Sequence, residues 1–270
     1  MSTNDQKQKQ LPSYEKPPLI EVACGLVFKR LTAMKIPHYG IVWSKFREQY
    51  PICQHAAPLE ISKESVDPAV GVPLPRVWLI GKGEMDLIQL QADRVFYNWR
   101  KVRPDDSYPR YSTVCANFRQ VVEKLSESIE ELGLGVIEPV DCELTYVNHI
   151  PKGEGWQSVS ELQKLFPDLS WRCDPARFLP NPTSAAWKAT FSYADLGTLT
   201  ASLNHGARRM DNLPIFIFQL TAKGIGQERS IPAIFTWFDT AHEWIVRGFA
   251  DLTSDSAQRE IWKREEPNVS

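Results

Sequence analysis

The stretch Asp86–Lys101, which reads DLIQLQADRVFYNWRK, decides the expected fold of this chain. An apolar run, Leu87–Ala92, and an aromatic run, Val95–Arg100, flank the dipeptide Asp93–Arg94. Two short runs joined by a two-residue turn are typical of a β-hairpin. We therefore predict that the chain builds an antiparallel sheet around this hairpin.

Side chains alternate between the two faces of a strand, so the predicted turn assigns each hairpin residue to a face. Ile88 is expected opposite Trp99, and Leu90 opposite Tyr97, on an apolar face. The other face carries the polar side chains of Gln89, Gln91, Asn98 and Arg100, with Gln89 expected opposite Asn98. The first face is predicted to enter the core and the second to face solvent or a ligand.

Hydrophobic periodicity assigns the remaining elements. Before and around the hairpin, the predicted elements are a strand at 19–28, a helix at 38–50, a strand at 76–81 and a long amphipathic helix at 111–132. The order then starts again, with a strand at 140–150, a short helix at 158–166, strands at 185–193, 197–204 and 214–221, and a long helix at 230–252. The proline-rich segments 53–75 and 169–182 are predicted to be loops.

Both halves thus follow the order strand, helix, three strands, helix, which predicts an α+β fold with a degenerate internal repeat. The expected halves are residues 17–135 and 136–262, joined through one curved antiparallel sheet with the long helices on one side. Half-units of this order occur in folds of the TATA-binding-protein type, an analogy of architecture alone. Residues 1–16 and 263–270 are predicted to be tails, the first of them disordered.

The composition is that of a soluble globular protein, with 43% hydrophobic and 24% charged residues and a net charge of −2. This balance argues against a general polyanion binder. The five scattered cysteines form no CxxC pair, a pattern that favours reduced thiols and a cytoplasmic location. The sequence begins MSTNDQKQKQ, without the apolar core of a signal peptide, and no apolar run is long enough to span a membrane.

Familiar catalytic motifs are missing from the sequence. It contains no GxxxxGK[ST], GxGxxG, GxSxG or HExxH, so no cofactor is predicted. Asp239, His242 and Glu243 lie close together on the last predicted helix, and Asp141 alternates with Glu143 on a predicted strand. Both groups are more typical of a solvated face than of a metal site. We therefore predict no metal ligands and no catalytic residues.

The predicted polar face supplies the candidate binding residues, which are Glu21, Gln89, Gln91, Asn98, Arg100 and Glu143. One interpretation is a solvated antiparallel face without a function. The other is a concave surface that receives a ligand or partner, in which case truncating Gln89, Asn98 or Arg100 should weaken binding and leave folding nearly intact.

Three functional hypotheses follow. The leading one is a non-enzymatic binding protein that acts through a protein partner or a homodimer. The second is a nucleic-acid-binding protein, in which the basic side chains of Arg94, Arg100, Lys101, Arg103 and Arg110 contact phosphates between aromatic residues. The third is an enzyme in which Glu21, Glu143 and Arg100 converge in one pocket.

Three segments carry a resemblance to a known family: PPLIEV at 17–22, LIQLQADRVFYNWR at 87–100 and FADLT at 249–253. Over about residues 17–262 the chain resembles an uncharacterised family that is distributed sporadically among bacteria and archaea. The resemblance implies no activity and no catalytic residues. The scattered distribution implies an association with mobile elements or defence systems.

Overall fold

The computed structural model describes residues 11–59, 74–171, 174 and 176–265. Within these residues, nine strands form one antiparallel sheet that three α-helices cover, so the predicted α+β class is confirmed. The strands are β1 (Leu19–Phe28), β2 (Ile52–Ala56), β3 (Arg76–Ile80), β4 (Asp86–Gln91), β5 (Arg94–Arg100), β6 (Pro139–Pro151), β7 (Ala186–Tyr193), β8 (Gly197–Ala207) and β9 (Pro214–Gly224). The α-helices are α1 (Ile36–Phe46), α2 (Tyr111–Glu131) and α3 (Ile231–Leu252). Short 3-10 helices cover Val159–Lys164 and Ala194–Leu196, and a π-helix covers Ala257–Ile261.

The sheet has the strand order β2-β3-β4-β5-β1-β6-β9-β8-β7 and is open at both ends. Strands β1 and β6 form its centre and pair antiparallel with each other. Outward from β1 come β5, β4, β3 and β2, and outward from β6 come β9, β8 and β7. Among the described strands, β2 and β7 are therefore the edges of the sheet.

One face of the sheet enters the core because its side chains are apolar. Val22, Cys24 and Leu26 of β1 lie on this face and are fully buried. The long helices cover this face, as the sequence predicted. They also contact each other, since the Phe118 ring of α2 lies 5.8 Å from that of Phe235 and 5.3 Å from that of Phe238 in α3.

The central hairpin forms, but its predicted register is wrong. Ile88 pairs with Tyr97 and Gln89 with Phe96, so the turn is Ala92–Asp93 and the pairing differs by two residues on β5. Contacts from outside the hairpin explain the earlier turn, because the carbonyl oxygens of Asp93 and Ala92 accept 2.9 Å hydrogen bonds from the backbone of Phe28 and Leu31. The difference is an even number of residues, so every side chain keeps its predicted face.

Two element assignments in the first half are also corrected. Strand β2 lies in a segment predicted to be a loop, and residues 60–73 of that segment fall outside the described residues. Strand β2 is an exposed edge strand, so it lacks the alternating burial that marks the inner strands. Helix α1 spans Ile36–Phe46 and so begins and ends earlier than predicted. At its start, the backbone N–H of Lys35 donates to Nδ1 of His38 at 2.9 Å.

The tail boundaries also need correction. Tyr14, in the segment predicted to be a disordered tail, is 7% exposed and forms a β-bridge with Arg264. Its hydroxyl donates a 3.0 Å hydrogen bond to Oε1 of Gln258. The two chain ends thus pack together beside α3, because Tyr14 also contacts the Phe249 ring at 5.4 Å. Residues 1–10 and 266–270 fall outside the described residues.

Candidate functional site

The polar face of the sheet carries a chain of side-chain hydrogen bonds that crosses four adjacent strands. Arg76 of β3 donates from Nη1 to Oε1 of Gln89 at 3.0 Å. Gln89 of β4 donates to Oδ1 of Asn98 at 2.8 Å, and Asn98 of β5 donates to Oε1 of Glu21 at 2.5 Å. Gln89 and Asn98 therefore meet as diagonal neighbours, although they are not the opposite pair that the sequence predicted. We call Arg76, Gln89, Asn98 and Glu21 the polar ladder.

Glu21 at the end of the polar ladder is paired in register with Arg100 of β5. Burial raises the pKa of the Glu21 carboxyl, while the hydrogen bond from Asn98 and the charge of Arg100 oppose that effect. The Arg100 guanidinium donates from Nη2 to the carbonyl oxygen of Glu84 at 2.8 Å. Its buried Nε has no acceptor among the described residues. Arg100 is thus anchored by a backbone carbonyl, while its Nε is closed to solvent.

A cleft of about 390 Å³ opens beside Arg100. Its lining includes Lys101, Gln54 and Glu84, together with the apolar side chains of Ile52, Ile80 and Val102. The cationic groups of Arg100 and Lys101 and the amide of Gln54 line this space. The carboxylate of Glu84 also belongs to its lining. The arrangement suits a carboxylate, a phosphate or another group rich in hydrogen-bond acceptors.

The structure separates the other two predicted polar-face residues from this cleft. Gln91 is 6% exposed, and its Oε1 accepts a 2.9 Å hydrogen bond from the backbone of Leu59. Glu143 lies on β6, where it forms a 2.8 Å ion pair with Lys223 and accepts a hydrogen bond from Thr145 at 3.2 Å. The lining of the cleft beside Arg100 includes neither Glu21 nor Glu143, the two carboxylates predicted to join Arg100 in one pocket.

The predicted basic cluster is also divided. Arg94 is 8% exposed and forms a 3.1 Å ion pair with Asp93, which removes it from the free surface. Arg100 and Lys101 share the cleft on the polar side of the sheet. Arg110 lines a different pocket, on the helical side. These basic residues therefore do not form one continuous positive stripe.

That second pocket has a volume of about 330 Å³ and lies between β6, the beginning of α2, α3 and the segment that precedes β1. Most of its lining is apolar, including Pro17, Leu19, Leu220, Ile245, Val246 and Phe249. Three hydrogen-bonded polar tips join this wall from Tyr108, Tyr146 and His242, and other polar groups line it from Ser13, Arg110, Ser112 and Asn148. The pocket has the composition of a small-molecule site, which is mainly apolar with a few placed polar groups.

The three polar tips form one hydrogen-bonded series. The hydroxyl oxygens of Tyr108 and Tyr146 are 3.0 Å apart, and the Tyr146 hydroxyl lies 3.0 Å from Nδ1 of His242. Burial raises the pKa of both tyrosines and lowers that of His242 to about 4. All three side chains are therefore uncharged at neutral pH. We call them the Tyr–Tyr–His series.

Sequence reasoning missed this series because its members come from a connection, a strand and a helix that are far apart in the chain. The sequence alone predicts that His242 lies in a solvated stripe with Asp239 and Glu243. Its ring instead stacks on Tyr111 with a centroid distance of 3.9 Å, while Glu243 pairs with Arg247 at 2.7 Å. One signal was available in the sequence, since the polar-tipped Tyr146 follows Cys142 and Leu144 on the apolar face of β6.

No group of three or more His, Cys, Asp and Glu side chains in the described part of the chain has a geometry that could hold a metal ion. None of the described helices combines the length and the apolar character needed to cross a bilayer.

Comparisons with known proteins add little to this geometry. A scan against protein-family models and a search of curated protein sequences gave no match. Among solved structures, the chain is weakly similar to the di-domain ARO/CYC StfQ from the steffimycin biosynthetic pathway. The alignment has 6% identity and a TM-score of 0.19, and covers 88% of this chain and 97% of that one. A likeness at this level carries no argument about fold or function.

Proposed function

We propose that this chain is a non-enzymatic binding protein that acts through protein contacts, and that its first partner is a second copy of itself. The observation that carries the proposal is the open edge of the sheet at β7. Strand β7 spans eight residues and pairs only with β8 among the described strands. Its outer backbone groups are therefore free to pair with another strand.

The side chains at this edge favour pairing. Natural edge strands are commonly protected by charges, prolines or bulges, whereas AWKATFSY carries a single charge at Lys188 and no proline. Phe191 is 41% exposed at the edge. In the segment before β7, Phe178 is 97% exposed and Leu179 is 60% exposed. Antiparallel pairing of two β7 strands about a twofold axis would cover apolar surface and extend the sheet into the second copy.

We expect Phe191→Lys to raise the dimer dissociation constant at least tenfold, because it places a charge on the pairing edge. Sedimentation equilibrium of the full chain measures this constant. Ile36→Lys is the matched control, because Ile36 is an exposed apolar residue at the start of α1, away from β7. A chain that is monomeric throughout the concentration range, or an equal effect of both variants, would contradict the proposal.

The cleft beside Arg100 favours a second candidate function, which is binding of an acidic segment of another protein. The guanidinium of Arg100 and the neighbouring ammonium group of Lys101 line the cleft and offer charged donors to a carboxylate. Glu21, Gln89 and Asn98 contribute indirectly, because the polar ladder holds the strand face on which Arg100 lies. Gln91 and Glu143 have partners elsewhere and are left out of this proposal.

We expect hexaglutamate to bind the chain at low salt, and Arg100→Gln to weaken that binding at least fivefold. Arg103→Gln should change it less than twofold, because Arg103 is exposed outside the cleft. Calorimetric titration gives both values. A single-stranded oligonucleotide that binds more tightly than hexaglutamate, with a steeper salt dependence, would favour the nucleic-acid hypothesis instead.

We also infer that the two halves of the chain are a degenerate repeat. Outward from the centre, the strands of the first half are β1, β5, β4 and β3, and those of the second half are β6, β9, β8 and β7. In each half the first strand of the chain lies at the centre, and the last three follow outward in reverse chain order. A long helix, α2 or α3, ends each half. This order supports the predicted likeness to half-units of the TATA-binding-protein type, with β2 as an addition to the first half.

A further inference from the structure

The pocket on the helical side is separate from the dimer edge and from the cleft beside Arg100, because its lining includes no residue of β7 and none of the cleft. Its polar groups come from a strand, a helix and a connection. Tyr146 projects from the central strand β6, His242 from α3, and Tyr108 packs on Trp99 of β5 at a ring distance of 5.2 Å. The polar end of the pocket is therefore held in place before any ligand arrives, which reduces the entropic cost of binding.

The Tyr–Tyr–His series can run in either direction. If Tyr146 donates to Nδ1 of His242, Tyr108 donates to Tyr146 and its oxygen is left to accept a bond. If Nδ1 of His242 carries the proton instead, the donors point the other way and the Tyr108 hydroxyl is left to donate. The Tyr108 end can therefore meet either a ligand carbonyl or a ligand hydroxyl.

The electrostatics of the pocket favour an uncharged ligand. The three members of the series are neutral at pH 7, as their shifted pKa values require. Arg110 at the pocket wall is already engaged, because it lies 3.6 Å from the Glu265 carboxylate and donates to Oγ of Ser13 at 3.2 Å. A ligand carboxylate would therefore lose its hydration without gaining a free cationic partner.

We propose that this pocket binds a small, uncharged, mainly aromatic or alicyclic molecule whose single hydroxyl or carbonyl group hydrogen-bonds to Tyr108. The volume of about 330 Å³ limits the ligand to a compact molecule such as a pair of fused rings. Leu220, Ile245 and Phe249 contact the apolar body, and the Tyr–Tyr–His series orients its polar group.

The proposal is tested by calorimetric titration of the full chain with 2-naphthol, with naphthalene as the probe that lacks a hydroxyl. Tyr108→Phe retains the ring that packs on Trp99 and removes only the hydroxyl group. We expect this variant to weaken 2-naphthol binding about fivefold, as expected for one neutral hydrogen bond. Naphthalene binding should change less than twofold.

A blocking variant tests whether the probes occupy this pocket. Val246 is half-buried in the pocket wall, so Val246→Trp should weaken the binding of both probes at least tenfold. Ser112→Trp fills the pocket from the exposed start of α2, and it is the alternative blocking variant if Val246→Trp fails to fold. Thr236→Trp is the matched control, because Thr236 is exposed on α3 outside the pocket.

Three results would overturn the proposal. The first is that 2-naphthol does not bind the wild-type chain at concentrations up to about 1 mM. The second is that binding survives in a folded blocking variant, which would place the probes elsewhere. The third is that 2-naphthoate binds more tightly than 2-naphthol, which would show that the pocket selects an anion.

Discussion

Phe238→Ala is expected to lower the free energy of unfolding by about 3–5 kcal/mol, the range for truncation of a core phenylalanine. Phe238 is fully buried on α3. Its ring lies 5.3 Å from that of Phe118 on α2 and 5.2 Å from that of Trp237. Removing it opens a cavity where the two long helices meet above the sheet, and well-packed neighbours collapse only partly into such a space.

Urea denaturation followed by circular dichroism gives this free energy, and Thr236→Ala is the control. Thr236 is exposed on α3 outside the buried stripe, so its truncation should change stability by less than about 0.5 kcal/mol. Phe118→Ala should cost about as much as Phe238→Ala. The double variant should cost less than the sum of the two, because the rings share one contact. A loss below about 1 kcal/mol for Phe238→Ala would mean that the buried face of α3 is wrongly assigned.

The helices and the strand faces were predictable because each depends on a local period. In α2 the apolar residues recur at three- and four-residue steps, and one buried face of a long helix requires that spacing. In the hairpin, Ile88 and Trp99 share the buried face in any register that differs by an even number of residues. The two-residue period of the strands therefore predicts the correct face for each side chain, although the predicted pairing of β4 with β5 is wrong.

The turn and the edge strand were not predictable, because neither depends on local periodicity. The position of the turn follows from hydrogen bonds that Phe28 and Leu31 donate to the carbonyl oxygens of Asp93 and Ala92, and these residues are distant in sequence. Strand β2 is exposed along nearly its whole length, so the sequence ICQHA carries no burial pattern. Only pairing with β3 identifies it as a strand.

The candidate sites, too, were predictable only where they depend on local periodicity. Residues of the polar ladder on β1, β4 and β5 were predicted from strand alternation, which places Glu21, Gln89 and Asn98 on one face. Burial on that face was not predicted, since it depends on how the whole sheet is covered. The Tyr–Tyr–His series requires α3 to pack on β6, a contact between residues 96 positions apart in the case of Tyr146 and His242.

Trp99→Ala is expected to destabilise the chain by about 3–5 kcal/mol, because a large core aromatic is removed. Trp99 is 3% exposed on the apolar face of β5 and packs against Tyr108. Its neighbour Asn98 points to the opposite face, where the sequence alone suggested that truncation would leave folding nearly intact. The structure changes that expectation, because Asn98 is also only 3% exposed and joins two other members of the polar ladder.

We therefore expect Asn98→Ala to cost about 1–3 kcal/mol, since it leaves the Glu21 carboxylate without its donor and the Gln89 amide without its acceptor. Arg103→Ala, an exposed polar truncation, should change stability by less than about 0.5 kcal/mol. Chemical denaturation of the three variants gives the order Trp99→Ala, Asn98→Ala, Arg103→Ala. If Asn98→Ala behaved like Arg103→Ala, water would be satisfying both orphaned groups. The polar ladder would then be a solvated surface that a ligand can enter, and the polar face would regain the recognition role that its sequence suggests.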